Sequence, residues 1–354
     1  LNQLNSQNYN AIGIMSGTSL DGVDLVYLSL VRETTWDFHI KVAQTVPYTD
    51  FWKQRLATAM QLDTERLHTL NVDYTDLLAD IINSFLVANS INDILAVCSH
   101  GHTVYHDPGF GKTLQIGNLE RLSRLIGLRV VCDFRTQDVQ LGGQGAPLVP
   151  IGDELLFSEY AYCLNLGGFA NVSFLKNDHR VAFDICPVNV VLNQIAALLG
   201  KEYDDNGAFA KAGNCNHLAL NALNNLEFYN LPAPKSLGME WVNRYVWAIL
   251  DQVEHPQDKL ATVVEHVAMQ IAKAIATQGT VLITGGGAYN TFLIARLRFY
   301  SNAQFVLPKK EIIEFKEAVI FALLGVLRLR NEPNCLASVT GAPMNHCSGK
   351  IYVP

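Results

Sequence analysis

The 354-residue sequence has little charge: Asp, Glu, Lys and Arg make up 17%, and acids outnumber bases 33 to 26 for a net charge of -7. That balance argues against a nucleic-acid binder, which needs a basic face. No apolar run approaches the roughly 18 residues of a membrane span. The polar segment 1–10 has no signal-peptide core, so no membrane association is expected. There is no C-x-x-C spacing, and the seven cysteines are odd in number and scattered. Four of them, Cys98, Cys132, Cys163 and Cys186, fall in or beside apolar runs, as small buried residues do. This usage fits a reducing cytoplasm better than a disulfide scaffold. The hydrophobic content of 49% is enough for substantial cores, and the length favours two domains.

The chain is organised around Ile12-Gly13-Ile14-Met15-Ser16-Gly17-Thr18-Ser19-Leu20-Asp21-Gly22-Val23-Asp24. An apolar strand enters a small polar turn and a second strand, 23–30, leaves it. Gly17 and Gly22 can take positive φ and let backbone N–H groups approach a ligand. Ser16, Thr18 and Ser19 add hydroxyls, while Asp21 and Asp24 can hold a divalent cation. Together these suit a Mg-bound triphosphate; the bland alternative is a hairpin with a polar tip.

Further strands are expected over 38–46, 94–98 and 129–132, with helices over 51–60, 75–88 and 119–126. Strands alternating with helices indicate an α/β layer. Residues 141–150, L-G-G-Q-G-A-P-L-V-P, read as a crossover, and the pattern then begins again. Strand 162–166, the Gly167-Gly168 turn and strand 170–175 repeat the first hairpin, with Asn165, Gly167, Gly168 and Asn171 as uncharged donors. This weak repeat suggests two similar domains facing each other across a cleft, expected as 1–140 with 335–354, and 141–334. In the second half, strand 181–184 and helices 188–199, 241–253 and 261–277 precede strand 280–284. That strand runs into Gly285-Gly286-Gly287, where a flat ring or a phosphate can lie on bare backbone. A helix over 316–328 and an irregular tail follow.

Several side chains are candidates. Asp184, at a strand end, can act as general base for a hydroxyl or water attacking a phosphoryl group or an acetal, or can cap the following helix. His100, His102 and His106 have spacing open to a metal, but Gly101 and Thr103 argue for extended chain and against the zinc geometry of a metallopeptidase; they read better as substrate-lining or structural. Arg135 and Asp138 follow a strand end, suiting a carboxylate-bearing substrate or an interdomain ion pair. Lys235 reads as a loop lysine or a phosphate contact.

Taken together the segments resemble the anhydro-N-acetylmuramic acid kinase family, in the sugar kinase and actin-like ATPase superfamily. The resemblance rests on G-I-M-S-G-T-S-L-D-G-V-D, G-H-T-V-Y-H, L-Q-I-G-N, D-F-R-T-Q-D, G-G-Q-G-A-P-L-V-P, N-L-G-G-F-A-N-V-S, F-D-I-C-P-V-N, P-K-S-L-G, T-G-G-G-A-Y-N, K-E-A and S-V-T-G-A, in that order along the chain. It implies an α/β fold of two ribonuclease-H-like (actin-like ATPase) domains flanking a nucleotide cleft. It also implies use of ATP and water to open the 1,6-anhydro ring of anhydro-N-acetylmuramic acid and leave a 6-phosphate, in peptidoglycan recycling. Under it Gly17, Thr18, Ser19, Leu20, Asp21, Gly22, Val23 and Asp24 hold the ATP phosphates, with Mg2+ at Asp21. Asp184 directs water onto the anomeric carbon, and Asn165, Gly167, Gly168 and Gly285 to Gly287 serve the nucleotide. Arg135 and Glu317 line the sugar pocket, with His102 and Asp138 as further substrate candidates, and a homodimer is implied. The chain departs from the family pattern at Ile185-Cys186, where Thr and Gly precede the Pro, at Val188, and at Leu237 and Met239. Those changes leave open a kinase of a related sugar, or a nucleotide-binding sensor or chaperone-like protein without turnover.

Overall fold

A computed structural model describes residues 7–17, 19–275 and 278–354. The chain divides into two units, residues 1–156 with 315–354, and residues 157–314. In the first, β1 (Asn8–Ser16), β2 (Gly22–Arg32) and β3 (Trp36–Pro47) form an antiparallel meander. β4 (Ala96–Asp107) runs parallel beside β1, β5 (Lys112–Ile116) folds back on β4, and β6 (Val130–Cys132) lies parallel to β4. In the second, β7 (Tyr162–Leu166), β8 (Phe169–Lys176) and β9 (His179–Pro187) form the same meander. Here β10 (Thr280–Thr284) is parallel to β7, and β11 (Gln304–Val306) is parallel to β10. β12 (Lys350–Tyr352) returns to the first sheet, antiparallel to β6.

The orders β3-β2-β1-β4-β6 and β9-β8-β7-β10-β11 therefore match strand for strand. The repeat that is faint in the sequence is explicit in the topology: each unit is a ribonuclease-H-like sheet. Apolar residues explain both. In β1 and β2, Ile12, Ile14, Val23 and Leu25 are fully buried and pack with Leu70, Tyr74, Leu78 and Ile82 of helix Thr64–Ala88. In the second unit Leu164, Leu166, Val172 and Val281 pack with Leu260, Val264, Val267 and Ile271 of helix Pro256–Ala274. No helix among the described residues is long and apolar enough to cross a membrane.

Several elements differ from their sequence expectations. The histidine-bearing segment after Cys98 is a continuation of β4, because it gains a partner in β5, a strand the local pattern does not announce. The 141–150 crossover ends in helix Pro150–Leu156, and the expected 241–253 helix is interrupted by a π-helical turn, Val242–Val246. Residues 276 and 277, the end of the expected 261–277 helix, lie outside the described residues.

The boundaries also fall elsewhere than 140/141 and 334/335. Helix Lys310–Arg330 lies directly on the first sheet from Phe315 onward: a Cβ on Gly13 would stand 1.8 Å from the Ala318 carbonyl oxygen. Helix Pro150–Leu156 packs on it, Gly152 against Ile320, and the buried Lys316–Asp153 ion pair at 2.8 Å ties the two helices.

Candidate active site

The first hairpin tip joins β1 to β2, and Thr18 within it lies outside the described residues. Neither Gly17 nor Gly22 takes the positive φ expected of it; Leu20 does, at 61°. Gly22 is demanded by packing, since a Cβ there would fall 2.4 Å from the Val46 carbonyl oxygen on β3. Gly17 is different: the nearest atom to a Cβ would be Ser19 Oγ at 3.5 Å, an ordinary contact. The fold has no need of a glycine at 17, so that position fits close approach of a ligand. Asp21 is exposed at the tip, its carbonyl anchored by Tyr48 N–H at 3.2 Å, whereas Asp24 accepts from Thr45 Oγ1 at 2.6 Å. Val23 is buried in the core. Of the two carboxylates, Asp21 is the exposed one, and it is the one that could hold a hydrated Mg2+.

Behind the tip is a buried polar group. The Tyr48 and Tyr74 hydroxyls lie 2.5 Å apart, and His102 meets the Tyr74 ring edge-on. Burial pulls His102 down to about 4, so it is a neutral imidazole at pH 7. His102 Nδ1, Ser99 Oγ and Asn118 Oδ1 are buried without a hydrogen-bond partner. Orphaned polar atoms are rare in protein interiors, and three at the carboxyl side of one sheet fit a site built for a polar ligand. His100, by contrast, is satisfied: Nδ1 faces the Gly101 carbonyl at 2.8 Å and Nε2 accepts from Arg135 Nε at 2.9 Å.

Arg135 also donates from NH1 to the Gly145 carbonyl at 2.7 Å. Burial pulls its guanidinium down to about 10, against the field of Glu317. Burial pushes the Glu317 carboxyl up, opposed by Lys316 and then Arg135. Arg135 and Glu317 thus belong to one polar patch of the first unit, and these bonds of Arg135 lie within it rather than in an interdomain pair. Asp138 is fully buried; it accepts from Gly145 N–H at 2.6 Å and from Thr340 Oγ1 at 2.8 Å. What it does there is pin the 141–150 loop to the S-V-T-G-A turn. His100, His102 and His106 do not form a metal-ligand set among the described residues.

In the second unit, Asp184 sits on β9 opposite Asn171, next to a β-bulge at Ile185. A bulge re-aims the side chains around it. Asp184 does not cap the next helix, whose N-cap is Val188. Instead its Oδ2 accepts from Leu237 N–H at 2.8 Å, and its own N–H donates to the Lys235 carbonyl at 3.0 Å. Burial raises its carboxyl above the ordinary carboxylate value, and the Leu237 bond opposes the rise. A half-buried carboxylate of raised basicity, fixed through one oxygen, is a suitable general base. Ile185, Cys186 and Val188 are buried in the core, with Leu237 and Met239 packed against it. The contact from Leu237 to Asp184 is a backbone one, so it survives the change of side chain. Lys235 donates to the Phe228 carbonyl at 3.0 Å and lies over the Phe228 ring, tethering its loop.

β7 and β10 are parallel neighbours, so the Asn165–Gly168 tip and Gly285–Gly287 emerge side by side. Gly285 has φ 83° and ψ 163°, and a Cβ on it would stand 2.6 Å from Asn165 Oδ1. A Cβ on Gly287 would stand 2.8 Å from Leu166 Cβ, and one on Gly168 2.8 Å from Val190 Cγ1. These three are required by packing. Gly286 is not: a Cβ there would meet only Asn189 Nδ2, at 3.7 Å. Gly167 is tighter: a Cβ there would stand 3.1 Å from the Asn165 amide, a side chain that would have to shift by a few tenths of an ångström. Bare backbone at 286 and 167, beside two asparagine amides, could hold a nucleotide's phosphate or ring.

A family model described as anhydro-N-acetylmuramic acid kinase matches residues 9–354. The chain belongs to the anhydro-N-acetylmuramic acid kinase family. A relative of that name from Haemophilus influenzae is 36% identical, covering 96% of this chain and 97% of its own. One from Saccharophagus degradans is 33% identical, covering 97% and 98%. Among solved structures, Acidaminococcus fermentans (R)-2-hydroxyglutaryl-CoA dehydratase component A superposes with a TM-score of 0.50 at 13% identity, over 90% of this chain and 98% of that one. That likeness is one of fold. The anhydro-N-acetylmuramic acid kinase family is one of sugar kinases, and this chain is accordingly a phosphotransferase.

Three residues at these sites go unnoticed in the sequence reading as individual candidates. Asn118 follows Gly117, whose φ of 87° marks a forced turn. Ser99 is hidden by its place in an apolar strand. Asn189 donates from Nδ2 to the Leu166 carbonyl at 3.1 Å, fixing the second hairpin tip. The glycine before Asn118 was a readable signal; Ser99 depends on strand register, and Asn189 on where the helix after Val188 begins.

Proposed function

We propose that this chain uses ATP and water to convert anhydro-N-acetylmuramic acid to N-acetylmuramic acid 6-phosphate. The supporting observation is Asp184: within a family match spanning 9–354, the carboxylate at the family's base position is half-buried, raised in basicity and held through Oδ2 alone by Leu237 N–H. In this reading Asp184 takes a proton from water as the water oxygen bonds to the anomeric carbon. The bond from that carbon to the bridging oxygen breaks, the oxygen bonds to the γ-phosphorus, and ADP leaves with the other bridging oxygen. Gly17 and its hairpin meet the phosphates, Gly286 and Gly167 the nucleotide, and Arg135, Glu317 and His102 the sugar. Asp21 is the residue that would hold Mg2+, which when bound neutralises phosphate charge. The neutral His102 can accept or donate to a sugar hydroxyl at no electrostatic cost. The seven free thiols support a cytoplasmic location, and the family resemblance supports a homodimer. The test is 31P NMR of the untagged chain with Mg-ATP and anhydro-N-acetylmuramic acid. A sugar 6-phosphate appearing in step with ADP supports the reading; ATP consumption without it, or none, overturns it.

A further inference from the structure

Asp138, Cys335 and His346 come together far from one another in sequence, each buried, with one carboxylate oxygen, the thiol sulfur and a ring nitrogen all within 4.8 Å. Asp138 lies in helix Thr136–Gln140, while Cys335 and His346 face each other across an isolated antiparallel bridge. That bridge is closed by Cys335 N–H to His346 O at 3.1 Å and His346 N–H to Cys335 O at 3.2 Å, so two of the three side chains are held by backbone.

The imidazole is the informative member. His346 is 8% exposed, its Nδ1 stands 3.2 Å from the Met344 carbonyl, and its Nε2 is buried without a hydrogen-bond partner. A carbonyl can only accept, so Nδ1 carries a proton and is turned away from the cluster, which Nε2 faces. Nε2 stands 3.4 Å from Asp138 Oδ1 without the alignment of a hydrogen bond between them. A cation bound off the line between them would satisfy the orphaned nitrogen and the carboxylate oxygen together. A ring N–H bonded to a backbone carbonyl is also the usual orientation of a metal-ligating histidine.

From this geometry we infer that Asp138, Cys335 and His346 form a zinc site that clasps the C-terminal segment to helix Thr136–Gln140 within the first unit. With bonds of about 2.0 Å, tetrahedral nitrogen and oxygen ligands stand roughly 3.3 Å apart, close to the spacing present here. The sulfur has at most about 1.3 Å to close for a bond of about 2.3 Å. Thiolate, imidazole and one carboxylate favour zinc over the hard cation that accompanies ATP. Thiolate and carboxylate balance the two charges of the ion, leaving a neutral cluster. Arg135 also faces the group, but its hydrogen bonds go to His100 and Gly145 and its charge is offset by Glu317. Without metal, burial pushes the Cys335 thiol up to about 12; binding would displace that proton into solution. Asp138 keeps its bonds from Gly145 and Thr340, which fix the carboxylate as a second shell fixes a ligand.

The test uses the untagged full chain, purified without chelator and dialysed. Elemental analysis should find about one zinc per chain. Cobalt(II) replacing it should give a near-ultraviolet thiolate charge-transfer band and tetrahedral visible bands. Cys335→Ser should abolish the charge-transfer band, and His346→Gln should weaken cobalt affinity at least tenfold. Circular dichroism of both variants without metal should match the parent, separating ligand loss from misfolding. The melting temperature of the parent should rise with zinc and fall back with EDTA, and Cys335→Ser should lose that response. Failure of the dialysed chain to retain or rebind stoichiometric zinc at micromolar concentration would overturn the site, as would a cobalt spectrum unchanged by Cys335→Ser.

Discussion

The two neighbouring glycines Gly285 and Gly286 should respond oppositely to the same methyl group. At Gly285, φ 83° and ψ 163° lie in a region open essentially to glycine alone, which costs about 1–3 kcal/mol for any other residue. The added Cβ would also stand 2.8 Å from the Leu166 carbonyl carbon and oxygen, and such overpacking costs about 1–3 kcal/mol more. Gly285→Ala should therefore lose about 3 kcal/mol, a fall in melting temperature of about 6–12 °C at the 2–4 °C per kcal/mol of domains of this size. Gly286→Ala meets nothing nearer than 3.7 Å and has no positive φ, so its stability should stay within about 0.5 kcal/mol of the parent. If the bare backbone at 286 carries nucleotide, the same methyl intrudes on the ligand. The KM for ATP should then rise about tenfold to a hundredfold, equivalent to the 1–3 kcal/mol of a steric misfit. Scanning calorimetry and steady-state kinetics read the two effects separately. Equal destabilisation of both variants would refute the assignment of packing roles. An unchanged KM in a stably folded Gly286→Ala would refute the nucleotide cradle.

Asp184 should set the acid limb of the pH profile. Because burial raises its carboxyl in the folded state, kcat/KM should fall with falling pH at a value above the ordinary carboxylate pKa of about 4. The stability sign is the reverse of the activity sign. A raised folded pKa means the native state binds the proton more tightly, so stability declines as pH rises from the unfolded to the folded pKa. Asp184→Asn should thus melt slightly higher than the parent at neutral pH, and a lower melting temperature would contradict the burial argument. The Lys316–Asp153 pair has side chains only 5% and 4% exposed, so Asp153→Ala removes a carboxylate hydrogen-bonded to a buried cation. It should cost about 3–5 kcal/mol by denaturant titration, with much of the loss recovered in Asp153→Leu/Lys316→Met; full stability in Asp153→Ala alone would rule this out.

The architecture was legible from the sequence because the apolar strands 12–16 and 162–166 each run into a Gly-bearing tip and a return strand. Register was not. The segment Ser99 to His106 reads as extended chain beyond a strand expected to end at 98; what the pattern does not give is its partner, β5, and Gly101 sits at φ 77° within the strand. The role of each glycine was equally hidden. Gly22 and Gly286 look alike in sequence, and only the position of Val46 and the emptiness around 286 separate packing from ligand approach. Asp184 could be placed at a strand end, but its bond came from Leu237, 53 positions away, which no local pattern contains. The departures at Ile185, Cys186 and Val188 suggested altered contacts with substrate. In the structure all three side chains are buried in the core of the second unit.

The most direct test of the central claim is ADP release from Mg-ATP by the parent chain and Asp184→Asn, each with and without anhydro-N-acetylmuramic acid, alongside nucleotide binding by calorimetry. The account predicts sugar-dependent release in the parent, a loss of about 10²–10⁴-fold in the variant as for removal of a general base, and unchanged nucleotide affinity. Sugar-dependent release that survives Asp184→Asn, or nucleotide binding without any sugar-dependent release in the parent, would contradict it.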